Sequence, residues 1–271
     1  MLLRTKFSSV LKYIFCAGLI VGFGLFAMRA NAPAAPGDEQ LKEAMRRILQ
    51  ENPYILLDVL AKHSDELLDL MQNAAENRRV KAMTDNWNKD AKEPKQINFT
   101  GRAIEGNKNA PVTIVAYSDF LCPYCKQATD VVDGALKAHP KEVRFVFKNY
   151  PLVKLHPFAE IAAKYYIAAC LQDNDKAIKY HALLFANQDR LAKDGEAYLQ
   201  ETAKGLGFDV DRLIKDAKGG KVAAMLAEDQ GEARSMGIKG APFLVINNLV
   251  LPGAPDPALL EEAIQKALSL R

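Results

Sequence analysis

The chain has 271 residues, 49% of them hydrophobic and 25% charged, with 16 Gly and 13 Pro. Those proportions exclude disordered, collagen-like and low-complexity proteins and leave enough chain for a real core. The net charge of +3 is concentrated at the start: removing Arg4, Lys6, Lys12 and Arg29 from 36 bases leaves 32 against 33 acids, so the body is at −1 and lacks the basic footprint of a nucleic-acid binder.

Arg4, Lys6 and Lys12 precede an apolar run over residues 14–28, which is followed by Ala30-Asn31-Ala32-Pro33-Ala34. A basic flank, a short apolar stretch and small residues make up a secretory signal, with cleavage after Ala32 or Ala34. The run is shorter than the about 20 residues a spanning helix wants; an uncleaved anchor is the alternative. Cys16 follows Phe15, which does not suit lipidation. Either way the body is exported, into an oxidising compartment.

Residues 38–92 read as a helical arm. A first amphipathic helix over 38–51 carries Leu41, Ala44, Met45, Ile48 and Leu49 on one stripe. Asn52 as N-cap and Pro53 as first residue then start a helix expected to run unbroken to about Ala91, about 57 Å long. Leu56, Leu60, His63, Leu67, Leu70, Ala74 and Asn77 form a seam with alternating steps of four and three, which predicts a coiled coil between copies of the chain. The competing arrangement has the arm folded back on the following domain. Trp87, the only Trp, sits among Asp85, Asn86 and Asn88 and is expected to make an oligomer or domain contact. Residues 93–110, with Glu93-Pro94-Lys95 and Gly106-Asn107-Lys108-Asn109, read as a linker.

The third segment, residues 111–271, alternates strands and helices. Residues 112–117 (VTIVAY) are a β-branched run that predicts a buried strand, and a helix follows from about Pro123 to Ala138. Residues 143–148 predict a second strand. Residues 243–246 and 249–251 flank Asn247-Asn248 and predict an antiparallel hairpin, because Asn tolerates the left-handed conformation of a tight turn. A closing helix spans about 257–270. Between residues 156 and 236 the sequence is helical, in four or five pieces broken at Gly195, Gly205-Leu206-Gly207 and Gly219-Gly220. The order strand, helix, strand, helical insertion, hairpin, helix is an α/β thioredoxin-like fold.

Chemistry concentrates in Cys122-Pro123-Tyr124-Cys125. With Cys16 set aside, the body has three cysteines, too few for a disulfide framework, and no second ligand pair for structural zinc. No metal site is expected. Between a strand and a helix, the motif reads as a redox dithiol. Cys122 falls at a helix N-terminus, where unpaired N–H groups and the helix dipole favour a thiolate, and Cys125 lies one turn further in. Gly240-Ala241-Pro242 stands before the third strand, where a cis proline facing the dithiol is expected. Asp119 is either a partly buried acid passing a proton to Cys125 or a solvated acid at the strand end. Tyr124 is expected to tune the thiolate and touch substrate. Cys170, in an alanine-rich helix, and His181 are expected to be packed core residues.

Ser118-Asp119-Phe120-Leu121-Cys122-Pro123-Tyr124-Cys125, residues 180–185 (YHALLF) and residues 240–247 (GAPFLVIN) resemble the DsbA family of exported thiol-disulfide oxidoreductases, over roughly residues 97–271. The resemblance implies Cys122 as nucleophile, Cys125 as resolving cysteine and Pro242 as the cis proline, with Pro123, Tyr124 and Ala241 tuning the site. Many relatives carry Thr or Val where Ala241 stands. Leu49-x-x-Asn52-Pro53-x-Ile55-Leu56-Leu57 resembles the ScsC-like branch, which implies homotrimers with disulfide isomerase activity; a dimer remains open. The resemblance also implies a periplasmic protein without cofactor, acting on cysteine-containing clients and reset by a membrane redox partner. Two other functions compete: a dithiol oxidase, and a copper(I)-sequestering protein, against which stands the lack of any Met- or His-rich cluster beside the dithiol.

Overall fold

A computed structural model describes residues 37–270. The expected signal or anchor, residues 1–34, lies outside the described residues. Among the described residues no helix is long and apolar enough to cross a membrane. The chain divides into two compact units at Leu68/Asp69.

The first unit holds α1 (Asp38–Glu51), α2 (Pro53–Lys62) and the first turn of α3 (Ser64–Asp90). Asn52 occupies the cap position of α2, yet its side chain serves the other helix: Nδ2 donates to Ile48 O at 3.1 Å, closing the C-terminus of α1. Neither α1 nor α2 buries a residue within the chain. Leu41, Met45, Ile48, Leu56 and Leu60 are all exposed.

The single long helix expected from residue 53 does not form. It is interrupted at His63, which leaves helical geometry at φ −114°, ψ 27°. The His63 N–H closes α2 on Val59 O (3.1 Å), while its carbonyl opens α3 by accepting from Leu67 N (2.9 Å). Asp65 and Glu66 then supply the acidic first turn that a helix start favours, and Glu66 Oε2 meets His63 Nδ1 at 3.1 Å. The seam residues therefore fall on two helices.

The boundary of the arm also shifts. From Asp69 onward α3 belongs to the second unit: Val80 and Met83, with Ala91 just past the helix, pack on the core, and Trp87 is buried at 2% exposure with Nε1 donating to Val250 O at 3.0 Å. Trp87 is a domain contact, and the folded domain starts near residue 69.

The second unit is built on a five-stranded sheet ordered β1-β3-β2-β4-β5: β1 (Ile104–Gly106), β2 (Val112–Ser118), β3 (Val143–Asn149), β4 (Phe243–Ile246) and β5 (Leu249–Pro252). Only β2 and β3 run parallel, with Val112 opposite Val143 and Ser118 opposite Asn149. β1, inside the expected linker, adds to the free edge of β3. Asn247 turns the hairpin at φ +54°, and its Oδ1 accepts from Thr113 N at 2.9 Å, locking the turn to β2.

Side chains alternate across the sheet. Val112, Ile114, Ala116, Phe145 and Phe147 join the main core with α4 (Pro123–Ala138) and α11 (Pro257–Ser269). Val115, Tyr117, Val146 and Val245 form a second cluster with Ala233 and Ile238. The insertion has six helices: α5 (Ala159–Gln172), α6 (Asn174–Ala186), α7 (Gln188–Asp194), α8 (Glu196–Gly205), α9 (Val210–Ala217) and α10 (Gly220–Ser235). The two extra breaks fall at Asp173, whose side chain caps α6 by accepting from Asp175 N and Lys176 N, and at Asn187.

Candidate active site

β2 ends at Ser118, and the turn Asp119-Phe120-Leu121 delivers Cys122 to the N-cap of α4 with extended geometry, φ −83°, ψ 122°. Pro123 follows at the first helical position, where its missing N–H leaves no bond unmade. The Cys122 carbonyl accepts from Cys125 N (3.0 Å) and Lys126 N (3.2 Å), so the first helical turn starts at the cysteine itself. Both thiols are unbonded to any other sulfur.

The two sulfurs sit in different environments. Cys125 is fully buried, and its Sγ accepts from Asp119 N at 3.4 Å. Cys122 keeps a small opening to solvent, and its Sγ points to Ala241 O at 3.8 Å. The Ala241–Pro242 peptide there is cis. Tyr124 projects into solvent at 65% exposure.

Electrostatics separates the thiols further. A hydrogen bond from Cys125 draws the Cys122 thiol down to about 6, helped by the N–H groups of Cys125 and Tyr124 and opposed by burial and the Asp119 charge. The same sulfur–sulfur hydrogen bond, together with burial, pushes Cys125 far up, although the Ser118 hydroxyl pulls the other way. One sulfur is a thiolate near neutral pH, and the other remains a protonated donor beside it.

Asp119 is not a solvated acid at the strand end; it is buried at 2% exposure. Its Oδ1 accepts from Leu121 N (2.8 Å), and its Oδ2 accepts from Leu152 N (2.8 Å) and His156 Nδ1 (2.8 Å). His156 escaped sequence reasoning, as did Gln188. The Gln188 amide, at the head of α7, donates to Phe120 O (2.8 Å) and Cys122 O (3.0 Å), tying the insertion to the dithiol turn.

The remaining candidates lie apart. Cys170 packs against the core on α5, where burial pushes its thiol to about 11. His181 stands in a cage of Phe120, Phe145, Phe147, Tyr166 and Phe185, and burial lowers it to about 3, so it is neutral. Among the described residues no group of three His, Cys, Asp or Glu side chains is arranged to hold a metal ion. A further feature without sequence warning is a wholly buried ion cluster. Asp229 on α10 accepts from Arg102 (2.7 Å) and Lys148 (2.9 Å) on one oxygen and from Asn149 N and Nδ2 (both 3.0 Å) on the other. It fastens the insertion to the end of β3.

A family described as thioredoxin matches residues 98–266, which hold the sheet, the dithiol and the insertion. The chain belongs to the thioredoxin family. Among curated relatives, the Na(+)/H(+) antiporter NhaA 3 of Salinispora tropica is 33% identical over 166 residues, 61% of this chain. The match takes in 24% of that protein, so the chain spans about a quarter of the length of the curated relatives it matches. A thioredoxin-like oxidoreductase from Silicibacter pomeroyi is 27% identical at a TM-score of 0.54, over 63% of this chain and 94% of that one. Proteus mirabilis ScsC in a compact conformation shares the fold at a TM-score of 0.55 and 19% identity, over 82% of this chain and 99% of that one. This thioredoxin-family domain therefore shares with that ScsC structure a mixed α/β fold interrupted by helices.

Proposed function

We propose that this protein is an exported thiol-disulfide oxidoreductase that works as a disulfide isomerase on cysteine-containing client proteins. The observation that carries the reading is the asymmetric dithiol: Cys122 at a helix N-terminus with its thiol lowered to about 6, beside a buried Cys125 that keeps its proton. The Cys122 thiolate attacks a client disulfide. The new bond joins Cys122 Sγ to one client sulfur, the client S–S bond breaks, and the second client sulfur leaves as a thiolate. If that client thiolate attacks a different disulfide, and Cys122 is finally expelled, the client is reshuffled with no net electron transfer. If Cys125 instead loses its proton and attacks Cys122 Sγ, the client is released reduced and the chain keeps the disulfide. A lowered thiol value on Cys122 makes it both attacking group and leaving group.

The exposed apolar faces of α1 and α2 support assembly through a second copy of the chain, with a trimer as the favoured form and a dimer as the other outcome. Each leucine buried in such an interface contributes roughly 1.5–3 kcal/mol. Several dithiols on one scaffold raise the thiol concentration around a bound client, which suits reshuffling. The basic and apolar start of the sequence supports a periplasmic location, where a membrane partner would reset the dithiol. One observation favours a second reading, the dithiol oxidase: stabilising the Cys122 thiolate stabilises the reduced state and so makes the disulfide form more oxidising. The test compares Cys122→Ser with the parent in insulin reduction and in recovery of a scrambled multi-disulfide substrate. Loss of both supports the assignment, and retained insulin reduction refutes it. A parent that oxidises dithiols but never recovers the scrambled substrate is an oxidase.

A further inference from the structure

The Asp119 side chain has no exposure, and its carboxylate is held by two backbone N–H groups and one side chain. An ionised carboxylate only accepts, so the 2.8 Å contact with His156 Nδ1 is a hydrogen bond donated by the imidazole. Leu121 N and Leu152 N are fixed by the chain. His156 is the one donor of the three that comes from a side chain, and it reaches solvent at 21% exposure. It arrives from the loop between β3 and α5, thirty-seven residues along the chain from Asp119.

Three residues after Asp119 stands Cys122, whose ionisation the Asp119 charge opposes. In a partly desolvated pocket a second negative charge is costly, so any group that draws charge from Asp119 eases formation of the Cys122 thiolate. Other charged side chains on the elements packed around this loop are paired elsewhere or stand in solvent. Lys126 meets Asp130 on α4 at 2.8 Å, Lys164 meets Glu160 on α5 at 2.6 Å, and Lys154 is exposed in the loop itself.

We propose that His156 is a positioning residue of the dithiol: its hydrogen bond holds the buried Asp119 carboxylate and keeps that charge from suppressing the Cys122 thiolate. His156 does not touch the client; it acts through Asp119. The inference rests on the reading of Cys122 as the nucleophile.

The experiment tracks iodoacetamide alkylation of Cys122 in the full, reduced chain as a function of pH, with the modified residue located by mass spectrometry. His156→Ala removes the donor, and His156→Gln replaces it with an amide N–H donor. With Ala the alkylation midpoint moves to higher pH, and the rate at about pH 6 falls roughly three- to ten-fold. Gln restores the parent profile. Asp119→Asn moves the midpoint the other way, and in that background the loss of His156 has no further effect. If Asp119→Asn does not fold, the two His156 variants decide alone. A His156→Ala profile that superimposes on the parent overturns the proposal, and so does a shift that Gln fails to reverse. A parent whose Cys122 resists alkylation until pH 9 defeats the functional reading itself, a result distinct from either.

Discussion

Lowering the Cys122 thiol from 9.0 to about 6 ties the stability of the reduced protein to pH, with a sign that can be worked out. The folded value lies below the unfolded one, so the thiolate stabilises the fold fully above pH 9. The contribution shrinks as pH falls and is lost below about 6. At about pH 7.5 the one-proton linkage gives ~2 kcal/mol, reduced to roughly 1–2 kcal/mol because the sulfur keeps an opening to water. Cys125 adds nothing in this window, since it is protonated in both states below the ordinary thiol range. Chemical denaturation of the reduced parent and of reduced Cys122→Ala, at a series of pH values, measures the difference. The gap between the two should widen from about pH 5.5 to 7.5 by roughly this amount. Parallel curves across that range would refute the claim that the fold stabilises a thiolate at Cys122.

The buried cluster gives a second expectation: Asp229→Asn leaves Arg102 and Lys148 without their shared carboxylate and should cost about 3–5 kcal/mol in denaturant unfolding. Deleting residues 37–68 should yield a monomer by light scattering, with insulin reduction intact and recovery of a scrambled substrate sharply lower. Extending the deletion to residue 92 removes Trp87 from the core and should abolish cooperative unfolding. Trp87→Ala alone should cost about 3–5 kcal/mol, because it opens a cavity and leaves Val250 O without its donor.

The parts legible in the sequence are those whose signal is local. Residues 112–117 announce a buried strand through their β-branched run, and all six are buried. The dithiol, with Pro123 behind Cys122, announces the helix start that places it. The Asn247-Asn248 pair announces the hairpin, and Asn247 takes the left-handed conformation that the turn needs. Other features depend on partners far along the chain. β1 has three residues and exists because β3 presents a free edge. Trp87 is the only buried residue of a 27-residue helix, and it stands among Asp85, Asn86 and Asn88, so no apolar stripe leads to it. The apolar spacing across His63 continues the seam and masks the break, while the competing signal, Ser64-Asp65-Glu66, occupies a single turn. His156 reaches the site through one hydrogen bond from a loop, Gln188 through two from the head of α7, and no periodicity reports such contacts.

The central claim is that Cys122 attacks and Cys125 resolves. Replacing Cys125 with Ser removes the resolving thiol and should leave the mixed disulfide standing. Incubating Cys125→Ser with a peptide disulfide and mapping adducts by mass spectrometry therefore tests the claim directly. The account predicts that the adduct accumulates on Cys122 in this variant and is transient in the parent. An adduct on Cys170, or none on Cys122, would contradict it.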